Sequence, residues 1–301
     1  MRYTLLLSIT PCMSLTPDIS VETTNQTESE DNSPMSVLTS EAVVLRTWPV
    51  HESDLLVSFF TRDYGRLKGM AKAALKSRKR FGGALEPMTL TRAWFAERPR
   101  QELVRLDQLE ILRSPLSTAV DQTRMAVLSF YAEVIDEALP ERDPQATVFR
   151  LLASVLEQTN AVKPDTEQSQ SVDRLSGGPQ FSGPWMALTY FSLWMTRLMG
   201  LLPDIAHCMA CGDSLGAGEV RFSAYADGLF CGLHSNGSGS TLSADSWQLA
   251  QRMLRQPASA FAGEPWTRRR GQDLRRFTLQ TLERHLERKL KTAEALARLG
   301  G

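Results

Sequence analysis

Between Glu41 and Arg113 the chain repeats one device five times, a short run of strand-forming residues followed by a turn. The runs are Ala42–Trp48, Leu55–Phe60, Arg66–Ala73, Met88–Phe95 and Glu102–Ile111. Between them lie Pro49 with Glu52-Ser53-Asp54, then Asp63-Tyr64-Gly65, then Phe81-Gly82-Gly83, then Glu97-Arg98-Pro99-Arg100. Gly, Pro and Asp supply the backbone angles that tight turns need, so even spacing of this kind predicts a small antiparallel sheet that closes on itself. Five strands is the count of an OB-type barrel, whose face and loops often hold single strands.

The rest of the chain reads as helical, which makes the expected class α+β: a five-stranded OB-fold barrel over 41–113, then an α-helical domain over 114–206 and 241–301. At 301 residues, 42% hydrophobic and 23% charged, the chain is long enough for more than one packed unit. Leu116–Leu139 carries Val120, Val127, Leu128, Tyr131 and Ile135 on one stripe until Pro140 stops it. Asp143-Pro144 opens the next helix, with Val148, Leu151, Leu152 and Val155 at helical spacing. Pro184–Met199 is apolar on nearly every side and belongs in the middle of a bundle. Ser243 caps a helix to Leu254, and one last helix is expected from Trp266 to Leu299. Residues 162–182, polar with Gly177-Gly178-Pro179, read as an exposed flexible insertion. Residues 1–40 read as a disordered acidic leader, with Met35 offering a second start just ahead of the first strand. No run of about eighteen apolar residues occurs, so no membrane span is expected.

Inside the helical part, Cys208-Met-Ala-Cys211 is followed, with nineteen residues between, by Cys231-Gly-Leu-His234. A strand-like Glu219–Ser223 and a turn at Ala226-Asp227-Gly228 would fold 207–240 into a zinc-finger-like hairpin that brings the two pairs together. Paired ligands at this spacing are what tetrahedral zinc requires. Four protein ligands leave no open position, so one Zn2+ held by Cys208, Cys211, Cys231 and His234 would be structural. His207 is a competing ligand, and four unmetallated side chains are the plainer reading.

Charge distribution says more than the net charge of zero. Residues 41–113 hold 14 Lys/Arg against 9 Asp/Glu, and residues 268–298 hold 10 against 4. Arg66, Lys68, Lys72, Lys76, Arg78, Lys79 and Arg80 follow one another with no acidic residue between them, forming a basic tongue after the third strand. Together with Arg46 these are the candidate phosphate contacts. Tyr64, Phe81, Trp94 and Phe95 are available either to stack on bases or to fill the barrel. The basic face of the last helix reads as solvated surface. No Gly-rich phosphate loop, Gly-x-Ser-x-Gly or His-Glu-x-x-His occurs. His51-Glu52-Ser53-Asp54 are adjacent positions on a turn and cannot converge as a triad. From the residues alone three classes stand: a non-enzymatic DNA-binding protein, an RNA-binding OB/zinc-module protein of translation, and a zinc hydrolase.

Ala42-Val-Val-Leu-Arg46, His51-Glu-Ser-Asp-Leu-Leu-Val, Phe60-Thr-Arg-Asp-Tyr-Gly65-Arg-Leu and Gly69-Met-Ala-Lys72 follow in order. After them come Ser77-Arg78, Gly83-Ala-Leu-Glu-Pro87 and Cys208-x-x-Cys211-Gly212. This series resembles the RecO family of recombination mediators over about residues 41–290. The resemblance implies binding to ssDNA and dsDNA, annealing of complementary strands, and cooperation with RecR in loading RecA. It further implies docking of the acidic C-terminal tail of single-strand-binding protein, no catalysis, and a cytoplasmic, nucleoid-associated place of work. Two departures stand out: His234 where members often have Cys, and Lys72-Ala-Ala-Leu75 where the family pattern reads Lys-Gly-Ala-Arg.

Overall fold

The computed structural model describes residues 36–97, 101–117, 121–160, 183–216, 220–235 and 239–299. The leader, up to residue 35, and the insertion expected at 162–182 lie outside these. Five strands come first: β1 (Val37–Pro49), β2 (Leu55–Thr61), β3 (Gly65–Ala71), then, after a short helix α1 (Arg78–Phe81), β4 (Leu90–Ala96) and β5 (Val104–Arg113). They form a closed barrel in the order β1-β2-β3-β5-β4, the five-stranded OB-type arrangement expected. β1 makes closure possible by its length. Its first half pairs with β4 from Val37 to Val43 and its second half with β2 from Ala42 to Pro49, with a bulge between Val44 and Arg46. Such a bulge bends a strand, which lets one strand serve two neighbours. β3 and β5 run parallel, and the other pairs are antiparallel. The first strand thus begins at Val37, inside the stretch read as leader.

Period-2 alternation sorts the side chains. Leu55, Val57 and Phe59 point into the barrel with Leu67, Phe95 and Leu106. Phe59 and Phe95 meet edge to face at 5.8 Å between centroids. The opposite face of β2 is not left to water, because Phe60 packs on Phe149 at 5.7 Å and joins Val43, Leu45 and Met88 in the core of the helical part. β2 is therefore buried on both sides over most of its length. Gly65 (φ +71°) permits this closeness at the β2–β3 turn, since a Cβ there would lie 2.3 Å from the Asp143 carbonyl oxygen.

The helices are α2 (Gln122–Ala138), α3 (Ala146–Asn160), α4 (Gly183–Leu198), α5 (Ala244–Met253), α6 (Gln272–His285) and α7 (Lys291–Arg298). Asp121 caps α2 by accepting the Arg124 amide. α4 is buried along almost its whole length, and Phe191 stacks on Tyr131 of α2 at 4.4 Å. The single last helix expected from Trp266 to Leu299 is instead two. Glu287 takes φ +54°, which no helix interior accommodates, and Leu290 turns into the core. Carboxylates complete the break: Glu283 accepts the Leu290 amide, and Glu133 of α2 accepts the amides of Lys291 and Thr292 at 2.9 and 2.8 Å, capping α7 from another helix.

Between α4 and α5 lies a three-stranded sheet of β6 (Val220–Ser223), β7 (Ala226–Cys231) and β8 (Ser240–Leu242), ordered β7-β6-β8. Its hairpin turns at Ala224-Tyr225 rather than at 226–228, and Asp227 and Gly228 belong to β7. Phe222 fastens the sheet to Phe277 of α6 at 5.2 Å, and Arg284 bonds the Ala226 carbonyl and the Asp227 carboxylate. Among the described residues no helix is long and apolar enough to cross a membrane.

Candidate nucleic-acid interface and metal centre

The basic tongue is a fixed structure. After β3, Ala73 adopts a left-handed conformation (φ +52°), its amide held by the Asp54 carboxylate at 2.7 Å. Leu75 donates its amide to the Ser53 carbonyl at 3.1 Å, so the tongue is tied to the β1–β2 turn. A 3-10 turn at Ala74–Lys76 leads into α1, and Ala74 and Phe81 are buried in the barrel core. Phe81 acts as a plug. With both ends anchored, Lys72, Lys76, Arg78 and Lys79 are left pointing at solvent. None of these four makes an ion pair among the described residues. Arg80 behaves differently: its guanidinium donates to the Lys72 carbonyl at 2.6 Å and to Ser77 Oγ at 3.1 Å, and it lies over the Phe81 ring. It braces the tongue. Four like charges on a rigid edge, with no local counter-charge, are an attractive site for a polyanion.

Arg46, Arg66 and Lys68, grouped with the tongue by sequence, are turned elsewhere. They stand on the outer wall of β1 and β3, where the C-terminal end of α2 and the segment after it supply carboxylates. Arg46 pairs with Asp136 at 3.3 Å, Arg66 with Asp136 at 3.4 Å and Glu141 at 3.3 Å, and Lys68 with Glu141 at 2.8 Å. Ser58 donates to Asp136 as well, and Arg66 Nε to the Leu139 carbonyl. The side chains of Arg66 and Asp136 are only 12% and 11% exposed. The Lys68 ammonium, followed by the charges of Arg66 and Arg142, holds the Glu141 carboxyl below its ordinary value despite some burial. These cations hold the barrel to the helices. Their partners lie seventy to ninety positions away in the chain, so nothing local in the sequence marks them as neutralised.

The aromatics divide in the same way. Phe81 and Phe95 are buried, and Tyr64 packs edge-on against Phe95 at 5.4 Å. Trp94 is half-buried. The aromatic that sequence reasoning passed over is Trp48, 37% exposed at the tongue end of β1. Its only signal was its position, immediately before the Pro49 that ends the run.

At the other site the two Cys/His pairs converge. Ligand atoms of Cys208, Cys211, Cys231 and His234 all lie within 4.8 Å of one another. The first knuckle closes because Gly212, at φ +77°, donates its amide to the Cys208 carbonyl at 2.8 Å. The second is brought over by β7, whose Leu229 carbonyl accepts the Met209 amide and whose Cys231 amide points at Cys208 Sγ at 3.4 Å. Cys231 Sγ and His234 Nδ1 are 3.2 Å apart. Burial opposes ionisation of Cys208, yet the amides of Cys231, Cys211 and Ala210 outweigh it and hold the thiol at about 6. Three sulfurs and an imidazole gathered in this volume fit one tetrahedral ion, whose ligand atoms would be about 3.8 Å apart at ordinary zinc bond lengths. His207 is not in the group and bonds Asp204 at 2.8 Å instead.

Comparison with known proteins agrees with this architecture. The family model described as recombination protein O N terminal matches residues 35–115, and that for recombination protein O C terminal matches residues 120–170 and 168–294. The chain is 48% identical over 260 residues to a protein of Koribacter versatilis named DNA repair protein RecO, covering 86% of this chain and 98% of that one. A protein of the same name from Anaeromyxobacter sp. (strain K) is 33% identical over 260 residues, covering 86% and 95%. One from Pelotomaculum thermopropionicum is 28% identical over 268 residues, covering 88% and 96%. A barrel with a cationic tongue, a helical body and a Cys3His knuckle, matched between residues 35 and 294 by both halves of one family, make the chain a member of the RecO family.

Proposed function

We propose that the protein is a DNA repair and recombination mediator that grips the sugar–phosphate backbone and breaks no bond. The observation that carries this reading is the set of exposed cations Lys72, Lys76, Arg78 and Lys79, without an ion pair among the described residues and held on a barrel by buried anchors. Contacts of this kind attract phosphate without reading bases, so ssDNA and dsDNA both bind and affinity falls with salt. Holding two strands along one cationic edge screens their mutual repulsion, which favours annealing of complementary strands. Exchange against single-strand-binding protein, whose acidic tail would dock on the helical part, and cooperation with RecR would then place RecA on the cleared strand in the cytoplasm, at the nucleoid.

The metal in this reading is zinc, and its work is structural. Four protein ligands would leave no position for water or substrate, and the sheet they hold, β6–β8, is too small to bury a core of its own. The discriminating experiment is annealing of complementary oligonucleotides by wild-type protein and by a Lys76→Glu, Arg78→Glu, Lys79→Glu variant. Loss of annealing in the variant supports the reading; tight binding to RNA without DNA annealing by the wild type defeats it. Metal analysis of protein purified without chelator is expected to return one zinc per chain, and chelation to lower the melting temperature.

A further inference from the structure

The outer wall of β1–β3 meets α2 at one end. Beside α2 stand Arg46, Ser58, Arg66 and Lys68, all occupied by carboxylates. Towards the tongue the next outward position on each strand is apolar. Register makes these positions a row: Trp48 is the cross-strand partner of Leu56, and Leu56 of Met70. Strands lie about 4.8 Å apart, so three side chains in register span roughly 10 Å across the wall. Trp48 is 37% exposed, and Leu56 and Met70 are half-buried. Met70 stands two residues before Lys72, the first free cation of the tongue. Pro49, Leu55 and Ala71 form the adjoining row, which brings the end of β1 level with the base of the tongue.

We infer that the Trp48–Leu56–Met70 row is a platform for the unpaired bases of a single strand whose phosphates lie on the tongue. This deepens the proposed DNA binding, on which it rests, by adding a strand preference that cations alone do not supply. Charge selects the occupant: an apolar row bordered by four unneutralised cations suits a ligand with an anionic edge and flat apolar faces. An indole is a stacking surface for any base, and the flanking Leu and Met side chains fill the step beside it. In a duplex the base faces are already stacked on each other, so only the phosphates reach the protein.

The test compares a 25-nucleotide thymidine oligomer with a 25-base-pair duplex across a salt series, for wild type, Trp48→Ala, Trp48→Phe and the tongue variant Lys76→Glu, Arg78→Glu, Lys79→Glu. Trp48→Ala is expected to weaken the single strand about tenfold while the duplex changes less than about twofold. Its salt slope should match wild type, because no phosphate contact is removed, and Trp48→Phe should recover most of the loss. Equal weakening of both DNAs, or none, overturns the inference. So does a Trp48→Ala variant that loses binding to another protein while keeping its affinity for the single strand. If the tongue variant keeps its affinity and slope, DNA gripping by the tongue itself has failed; if only Trp48→Ala is silent, the tongue reading stands and the platform falls.

Discussion

In the tongue, Lys72, Lys76, Arg78 and Lys79 reach solvent without a carboxylate partner among the described residues, whereas the equally basic C-terminal segment is largely neutralised by its own fold. There Arg284 meets Asp227, Arg288 meets Glu137 at 2.7 Å, Lys289 meets Glu283 at 2.7 Å, and Arg270 shares Glu264 with Arg252. Arg275 is buried, with its guanidinium on the carbonyls of Arg268 and Arg270 and on Thr189. The wall cations Arg46, Arg66 and Lys68 follow the same rule as the C-terminal ones. The two segments have similar basic excess in the sequence, yet in the C-terminal one most of the charge is turned to carboxylates and carbonyls of the fold, with Arg269, Arg276 and Lys291 left exposed. What separates them is whether packing brings an acidic side chain within reach, and this decides function more directly than the count of Lys and Arg.

The largest test removes the counter-charge of the wall. Asp136→Ala takes from the nearly buried Arg66 one of its two carboxylates, Glu141 remaining, and from Ser58 and Arg46 a shared partner, which is expected to cost about 3 kcal/mol of stability in chemical denaturation. The salt slope of DNA binding should not change if the wall cations Arg46, Arg66 and Lys68 stay engaged by the fold rather than by phosphate. A stable variant with a steeper slope would show that the wall cations were available to DNA after all. Next comes the tongue itself. With three contacts reversed, the slope of log affinity against log salt on duplex DNA should flatten by about 2.7, and affinity near 0.1 M salt should drop at least about a hundredfold. The melting temperature should hold, since none of the three makes an ion pair among the described residues. Reversing Arg284, Arg288 and Lys289 should do the opposite, lowering stability and leaving the slope alone.

Acid provides a smaller and reversible version of the first test. Burial works against ionisation of Glu133, but the hydroxyl and amide of Thr292 and the amide of Lys291 outweigh it and hold the carboxyl below its ordinary value of 4.5. A depressed folded value means the stabilisation is complete above pH 4.5 and is lost as pH falls through the folded pKa. Glu141, held down by Lys68, acts in the same sense. The melting temperature should therefore fall as pH drops below about 4.5, and Glu133→Gln should shrink that dependence. An unaltered pH profile in Glu133→Gln would remove the cap of α7 from the account.

Much of this was legible from residues alone, for physical reasons that can be named. The five strands announced themselves through period-2 alternation with turn residues between, and the knuckle through two pairs at ligand spacing. Both signals are local. The pairing of Arg66 with Asp136 is not, because it depends on how α2 is laid against the barrel. Nor was the break between α6 and α7, where the apolar line through Leu282, Leu286 and Leu290 continues across a turn that Glu287 and a distant Glu133 impose. The hairpin turn was misplaced for a related reason. Asp227-Gly228 has turn chemistry, but Gly228 is used inside β7, at φ +101°, to make room for Met209 of the first knuckle.

The tongue's two departures from the family pattern offer the finest adjustment of the contrast between free and neutralised charge. Ala73 stands where that pattern has Gly, and it holds φ +52°, a conformation that costs a residue with a Cβ about 1–2 kcal/mol. Glycine relieves this strain but gains freedom in the unfolded chain, so Ala73→Gly should stabilise by only about 0.5 kcal/mol. Leu75 stands where the pattern has Arg, and it is 62% exposed with no apolar role that its exposure reveals. Its backbone is already fixed by the Ser53 carbonyl, so a longer side chain needs no rearrangement. Leu75→Arg should add one phosphate contact and steepen the duplex salt slope by about 0.9 with stability unchanged. An unaltered slope would mean that the backbone of bound DNA does not come within reach of position 75, and would narrow the interface to the cations on either side of it.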